Sequence, residues 1–397
     1  MKKPICVLLA LLLLCGCGAQ TPTEMTIDNA FVIVCAEDVV LTQAAISLQS
    51  NLKIEHGLEL ELVTAAPAEG KTITVAVDSA LAAGEYRTRL TQNGVVIEAQ
   101  SAQVMTLAMR RICAAWPSAT LTADDCAALS GAIVMEDAPF LVLTQNIRFD
   151  NDEGGNMVVD RAPRFKQLVN QYQPDIMCIQ EDDKAWAPIL ERYFSDRYGF
   201  TGMFNGGPDR GNGTEGLKQL IFFRSDRYEL VEEGGFWMSD TPTVYSKFEG
   251  SKSIRSCTWA LLKDNHTQQN LLVCNVHLDT RSNDVRLQQL GVVYEQLGSY
   301  MEQYPTIFCG DFNSRPDSAA YADLASRFND PHDTATEKYD DYPHTFTNYG
   351  NSENPGRLDY MFYTNLLTAN RYRIMTNQYG GYISDHYGVM TEYSFVK

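Results

Sequence analysis

Residues 306–314 read TIFCGDFNS. The apolar run Ile307–Cys309 is too short for a helix. It breaks at Gly310 and ends on Asp311 and Asn313, which reads as a buried strand opening into a polar turn. Strand ends of this kind present side chains to a shared cleft. Working outward, the same pattern recurs. FLVLTQNI (140–147) ends near Asn146, and DIMCIQ (175–180) leads into Glu181. NLLVCNVHL (270–278) carries His277, and LDYMFYT (358–364) contains Asp359 near its start. SDHYG (384–388) adds Asp385 and His386. QLIFFR and TWALL read as further strands, and helical spacing predicts helices over Arg161–Gln171 and Ser282–Glu302. Strands covered on both faces with helices between them predict an α/β fold over residues 139–397. Its expected form is a four-layer sandwich, two sheets flanked by helices.

The part before residue 139 is different. Of the 17 Phe, 4 Trp and 20 Tyr, only Phe31, Tyr86 and Trp116 fall there. FVIVC, LELELV and KTITVAV are strand-like, and Val40, Ala44, Leu48 and Leu52 share a helical face. Asn93-Gly94 sits between two alternating runs, a hairpin signal, and Ser101–Ala115 is a second helix. We expect a small α+β domain over residues 25–116, read as a β-α-β-β-β-α unit, with an acidic, small-residue connector over 117–138. GEYRTRLTQNGVVIEAQSAQVMTLAMRRI resembles the small domain that precedes the barrel of hexosaminidases, which implies an accessory packing role.

Residues 1–16 read as a signal peptide: Lys2 and Lys3, an apolar run too short to span a bilayer, then Leu14-Cys15-Gly16-Cys17. The last four resemble a bacterial lipobox, which implies a lipid on Cys17, a tether over 17–24 and an extracytoplasmic, membrane-anchored protein. An ordinary secretory signal is the alternative. The seven cysteines after Cys17 lie mostly in apolar runs and match no zinc spacing, so we read them as core thiols. The formal net charge is −18. Such a surface disfavours binding nucleic acid through a basic face, though a bound divalent cation inverts the field locally.

Singly, each strand-end residue has an ordinary explanation such as a core histidine or an Asx-turn. The ordered set TQNIR, IQE, NVHLDT, GDFNS, RLDYMF and SDHYGVM is more informative, and it resembles the endonuclease/exonuclease/phosphatase superfamily over residues 139–397. One stretch departs from its secreted bacterial branch, GNGTEGLKQLI, so Glu215 receives no role. The resemblance implies a phosphoesterase using Mg²⁺, with Mn²⁺ or Ca²⁺ as alternatives. It implies Glu181 as principal ligand with Asn146 and Asp385, and His386 as general base on water, oriented by Asp359. Asp311 and Asn313 position water and phosphate, and His277 meets a phosphoryl oxygen or the leaving group. Such chemistry suits hard oxygen ligands, and a zinc hydrolase is disfavoured because only two His belong to the set. Arg255, Arg286 and Arg357 are candidate substrate-binding residues. The expected substrate is a phosphate ester: nucleic acid, a phospholipid headgroup or a small phosphometabolite, with no protein partner inferred. The contrasting expectation is a non-catalytic surface lipoprotein that binds glycans or phosphorylated ligands.

Overall fold

A computed structural model describes residues 21–204, 217–339 and 342–397. Cys17, the signal segment and Glu215 lie outside the described residues. The first half of the chain contains β1 (Glu24–Thr26), β2 (Val32–Cys35), α1 (Val39–His56), β3 (Glu61–Val63) and β4 (Thr72–Val77). The hairpin β5 (Glu85–Thr91) and β6 (Gly94–Ala99) follows, then α2 (Ala102–Ala115). Asp38 and Ser101 cap the two helices through their side chains. A sheet in the order β3-β2-β4-β6-β5, extended at its edge by β8 (Gly131–Ala132), packs on α1 and α2.

The connector expected over 117–138 is structured. It holds β7 (Thr120–Thr122), which pairs with β1, α3 (Ala123–Ala128), and β8 (Gly131–Ala132), which extends the sheet beside β5. Thr122 and Asp125 form a reciprocal capping box at the start of α3. Leu121, Cys126, Leu129 and Ile133 share one core with Ile33, Leu48 and Ile97. The stretch therefore belongs to the first unit, because its apolar residues finish that unit's core. LELELV contributes only the three-residue strand β3 at the sheet edge.

The second half begins with β9 (Phe140–Asn146), α4 (Val158–Tyr172), β10 (Ile176–Asp182), α5 (Ala187–Phe194), β11 (Tyr198–Phe204) and β12 (Lys218–Arg224). Next come β13 (Tyr228–Trp237), β14 (Ser256–Asp264), β15 (Asn270–His277), α6 (Asn283–Gln303) and β16 (Thr306–Asp311). The chain ends with α7 (Ala319–Ala325), α8 (Pro331–Thr334), β17 (Glu337–Tyr339), β18 (Asp359–Tyr363), β19 (Leu367–Met375) and β20 (Gly388–Phe395). Two sheets form, ordered β11-β12-β10-β9-β20-β19-β17 and β13-β14-β15-β16-β18.

Alternation along the strands builds the layers. Val142, Cys178, Val273, Cys309 and Met361 point between the sheets into one core. Leu143, Met177 and Ile179 face α4 and α5, whereas Leu272, Val276 and Phe308 face α6 and α7. The result is helix, sheet, sheet, helix, the expected four-layer sandwich. The crossovers β9-α4-β10 and β15-α6-β16 each join parallel neighbours. Their C-terminal strand ends therefore come out together at one edge of the sandwich, where ligands bind in α/β sheets.

Candidate active site

Register brings the polar strand ends together. His277 lies opposite Asp311, and Asp311 lies opposite Asp359, across β15, β16 and β18. In the facing sheet Asn146 pairs with Gln180, so Glu181 follows directly. There the pairing of β10 with β12 slips, and Glu181 adopts φ +66°. A left-handed, non-glycine residue at a bulge is costly, and such costs concentrate where a side chain must be re-aimed. Asn313 (φ +47°) and Arg148 (φ +55°) are further instances around the same cleft. Gly310 has its own reason: a Cβ there would stand 1.9 Å from the Val276 carbonyl oxygen.

Asp311 is the hub. Its Oδ2 accepts from Asn146 Nδ2 at 3.1 Å and lies 3.4 Å from His277 Nε2 and 3.8 Å from His386 Nε2. Its Oδ1 accepts from the Asn313 amide at 2.9 Å. Asn146 Nδ2 also reaches Glu181 Oε1 at 3.1 Å, and Glu181 Oε2 accepts from the Phe149 amide. His386 Nδ1 meets Asp359 Oδ2 at 2.8 Å. Thr345 Oγ1 accepts from the Leu358 and Asp359 amides and so fixes the start of β18. Asp385 is held by Ser384 Oγ and lies 3.7 Å from Arg148 Nε.

The charges divide these groups. Burial alone would push His386 down, but Asp359 and Asp311 outweigh it and hold the imidazole well above its usual range, as a cation. Burial and the neighbouring Asp359 push Asp311 up to about 7. Burial, with the Arg255 and His386 charges, drives His277 well below its usual range, so it is neutral. Its Nδ1 is buried without a hydrogen-bond partner, 4.0 Å from Glu181 Oε1.

The three candidate arginines separate. Arg255 is buried, its Nε lacks a hydrogen-bond partner, and it feels the charges of Glu181, Asp311 and Asp279. Arg286 donates to the Asp279 carbonyl and to Asn283 Oδ1, which braces the turn before α6. Arg357 is a correction. Its guanidinium is spent on Asp330 at 2.6 Å and packs over the rings of Tyr321 and Tyr360, so it anchors α8 to the strand start. Arg148, which the sequence reading passed over, lies beside Asp385 and Asp152 and feels the charge of Glu181. Arg161 wraps the 147–149 turn through its carbonyls. Position two residues after a strand-end Asn was the only signal for Arg148.

The donor set fits a hard cation, because Glu181, Asp385 and Asp311 offer buried carboxylate oxygens. Asn146 donates its nitrogen to two carboxylates, which spaces Glu181 from Asp311, and its oxygen accepts from the Arg148 amide with a second lone pair left over. Asp311, Asp359 and His386 also bring ligand-type atoms within 4.8 Å of one another. Because His386 Nδ1 is already bound to Asp359, those three form a proton-holding chain more naturally than a metal cage.

The pattern of the Endonuclease/Exonuclease/phosphatase family matches residues 143–386. The 3'-5'-exoribonuclease subunit Ccr4 of the CCR4-Not complex of Kluyveromyces lactis is 26% identical over 212 residues, 45% of this chain and 25% of its own length. Nocturnin of Xenopus laevis is 26% identical over 181 residues, 42% of this chain and 43% of its own. The chain thus matches well under two thirds of these relatives. Among solved structures, a mannosyl-6-phosphatase from Bacteroides thetaiotaomicron VPI-5482 aligns with TM-score 0.57 and 26% identity, over 64% of this chain and 100% of that one. An endonuclease/exonuclease/phosphatase family protein from Bacteroides thetaiotaomicron aligns at TM-score 0.59 and 27% identity, over 65% and 95%. Fold, cleft and family pattern agree on one class of protein. The chain belongs to the endonuclease/exonuclease/phosphatase family.

Proposed function

We propose that the chain is a divalent-metal-dependent phosphoesterase acting on a small phosphorylated metabolite, most simply a sugar phosphate. The observation that carries the hydrolytic part is the continuous contact chain Glu181–Asn146–Asp311–His386–Asp359, which spans both sheets. Glu181 and Asp385 would hold the cation, Mg²⁺ by ligand chemistry, with Mn²⁺ or Ca²⁺ as substitutes. When bound, it neutralises phosphoryl oxygens and the leaving oxygen. The sequence reading made His386 the general base. A histidine held protonated by two carboxylates suits the opposite duty, donating a proton and stabilising negative charge. Asp311, poised near neutrality, takes the proton from water. Neutral His277 donates a hydrogen bond to a phosphoryl oxygen, and Asn313 keeps Asp311 in place.

The substrate class rests on charge and likeness. Residues 139–397 carry 24 basic and 35 acidic side chains, which disfavours a long polyanion. The likeness to a mannosyl-6-phosphatase supports a sugar phosphate, and that to exoribonucleases keeps phosphodiesters in the test. The Leu14-Cys15-Gly16-Cys17 sequence supports a lipid on Cys17 and an extracytoplasmic site at a bacterial membrane. The test is hydrolysis of p-nitrophenyl phosphate, bis(p-nitrophenyl) phosphate and mannose 6-phosphate, with Mg²⁺, with EDTA, and with Asp311→Asn. Turnover that needs metal and falls by ~10²–10⁴ in the variant is expected. Turnover indifferent to EDTA would overturn the metal.

A further inference from the structure

A cavity of about 440 Å³ lies where the two halves of the chain meet. It is remote from the catalytic cleft. Leu141 lines it at the start of β9, and Asn146 ends that strand, roughly 17 Å away at about 3.3 Å per residue. The floor is formed by β19 and β20, where Arg371 faces Glu392. The walls come from α1, α2 and the end of α4. Because α1 and α2 precede residue 143, the part of the chain that matches the family cannot build this cavity alone.

The lining excludes most ligand classes. Arg371 Nε lies 3.0 Å from Glu337 Oε2 and 3.9 Å from Glu392 Oε1. Gln171 Nε2 donates to Glu55 Oε1 at 3.1 Å and, more weakly, to Asn51 Oδ1. An anion would confront Glu55 and Glu392, and a cation would confront Arg110, Arg371 and Arg373. An apolar ligand would strip water from both signs of charge without replacing its hydrogen bonds. Neutral hydroxyls, which donate and accept at neighbouring positions, satisfy such mixed pairs. Tyr339, 44% exposed, adds ring surface against which the C–H face of a sugar ring packs, and the largely buried Trp116 contributes an edge of the wall. The volume falls in the range of ordinary small-ligand sites. We propose that this interdomain cavity binds a neutral carbohydrate of one or two rings, independently of the catalytic cleft.

The test is calorimetric titration of the purified protein with mannose, mannobiose, lactose and chitobiose, with inorganic phosphate as competitor. Saturable binding of at least one sugar is expected. The Kd should rise at least about tenfold in Arg371→Ala and in Tyr339→Ala, two partly exposed positions, and stay unchanged in His386→Ala. The proposal fails if no sugar binds, or if both cavity variants bind as well as the parent. It fails equally if His386→Ala loses binding, which would place the sugar in the catalytic cleft, or if phosphate displaces it, which would make the cavity an anion site.

Discussion

Asp359 earns its place by what it does to His386. Burial works against the imidazolium, and Asp359 leads the forces that restore it. Asp311, near 7, must be ionised to accept a proton while His386 must stay charged. The kcat/KM profile should therefore be a bell, rising through about pH 7 and falling above the raised imidazole value. Asp359→Asn removes the strongest support of the charged ring, so the falling limb should move to lower pH while kcat drops by ~10²–10⁴. A pH–rate profile of the variant decides it: an unmoved falling limb would mean that another group sets it. Much of this site was legible. Asn146, Glu181, His277, Asp311, Asp359 and His386 all announced themselves as polar residues interrupting apolar strands, and they do converge. Arg148 and Thr345 did not, because a positive φ and a hydroxyl that caps a strand from a loop leave no periodic trace. Arg357, two residues before Asp359, looked equally well placed. Its partner Asp330 lies 27 residues earlier, a pairing that only the fold reveals.

Between elements, the close pairing of β15 with β16 depends on Gly310. Its φ of +138° and the Val276 carbonyl 1.9 Å from any added Cβ leave no room for a side chain. Gly310→Ala should force the strands apart just before Asp311, costing at least about 2 kcal/mol and most of the activity. Urea unfolding and a turnover assay together check it, since a stable but inactive variant would place the effect in the site alone. The strands that carry the candidate site residues were readable because both their faces are buried, which makes them continuous apolar runs. β13, YELVEEGGFW, escapes that reading for the converse reason: it is a sheet edge with half of its residues exposed, Glu229, Glu232 and Glu233 among them. β19 likewise mixes Asn370, Arg371 and Arg373 among apolar residues, because its outer face meets the interdomain cavity rather than a helix.

At the scale of the whole molecule, the two halves are joined at the opposite end of β10 from Glu181. Asp175, just before that strand, accepts from Arg110 of α2 at 2.7 Å, and Arg227 lies 3.3 Å away. Arg227 also grips the Ala138 and Pro139 carbonyls at the junction. Nearby, Ser47 of α1 donates to the Gln171 carbonyl of α4. Burial alone would raise the Asp175 carboxyl, yet Arg110 and Arg227 hold it well below its usual range. A depressed carboxylate contributes stability that is fully present above its unfolded value, near 3.9, and is lost as pH falls toward its folded one. The junction is therefore an acid-labile joint, intact through neutral pH and weakened below about pH 4. Asp175→Asn leaves Arg110 and Arg227 without their shared carboxylate, and a broken buried ion pair costs about 3–5 kcal/mol. The variant should unfold earlier in urea at pH 7 and lose stability less steeply than the parent as pH drops below about 4. Its kcat/KM at a permissive temperature should change little, because Glu181 lies at the other end of the strand. Equal acid sensitivity in the two proteins would show that carboxylates elsewhere govern the acid transition.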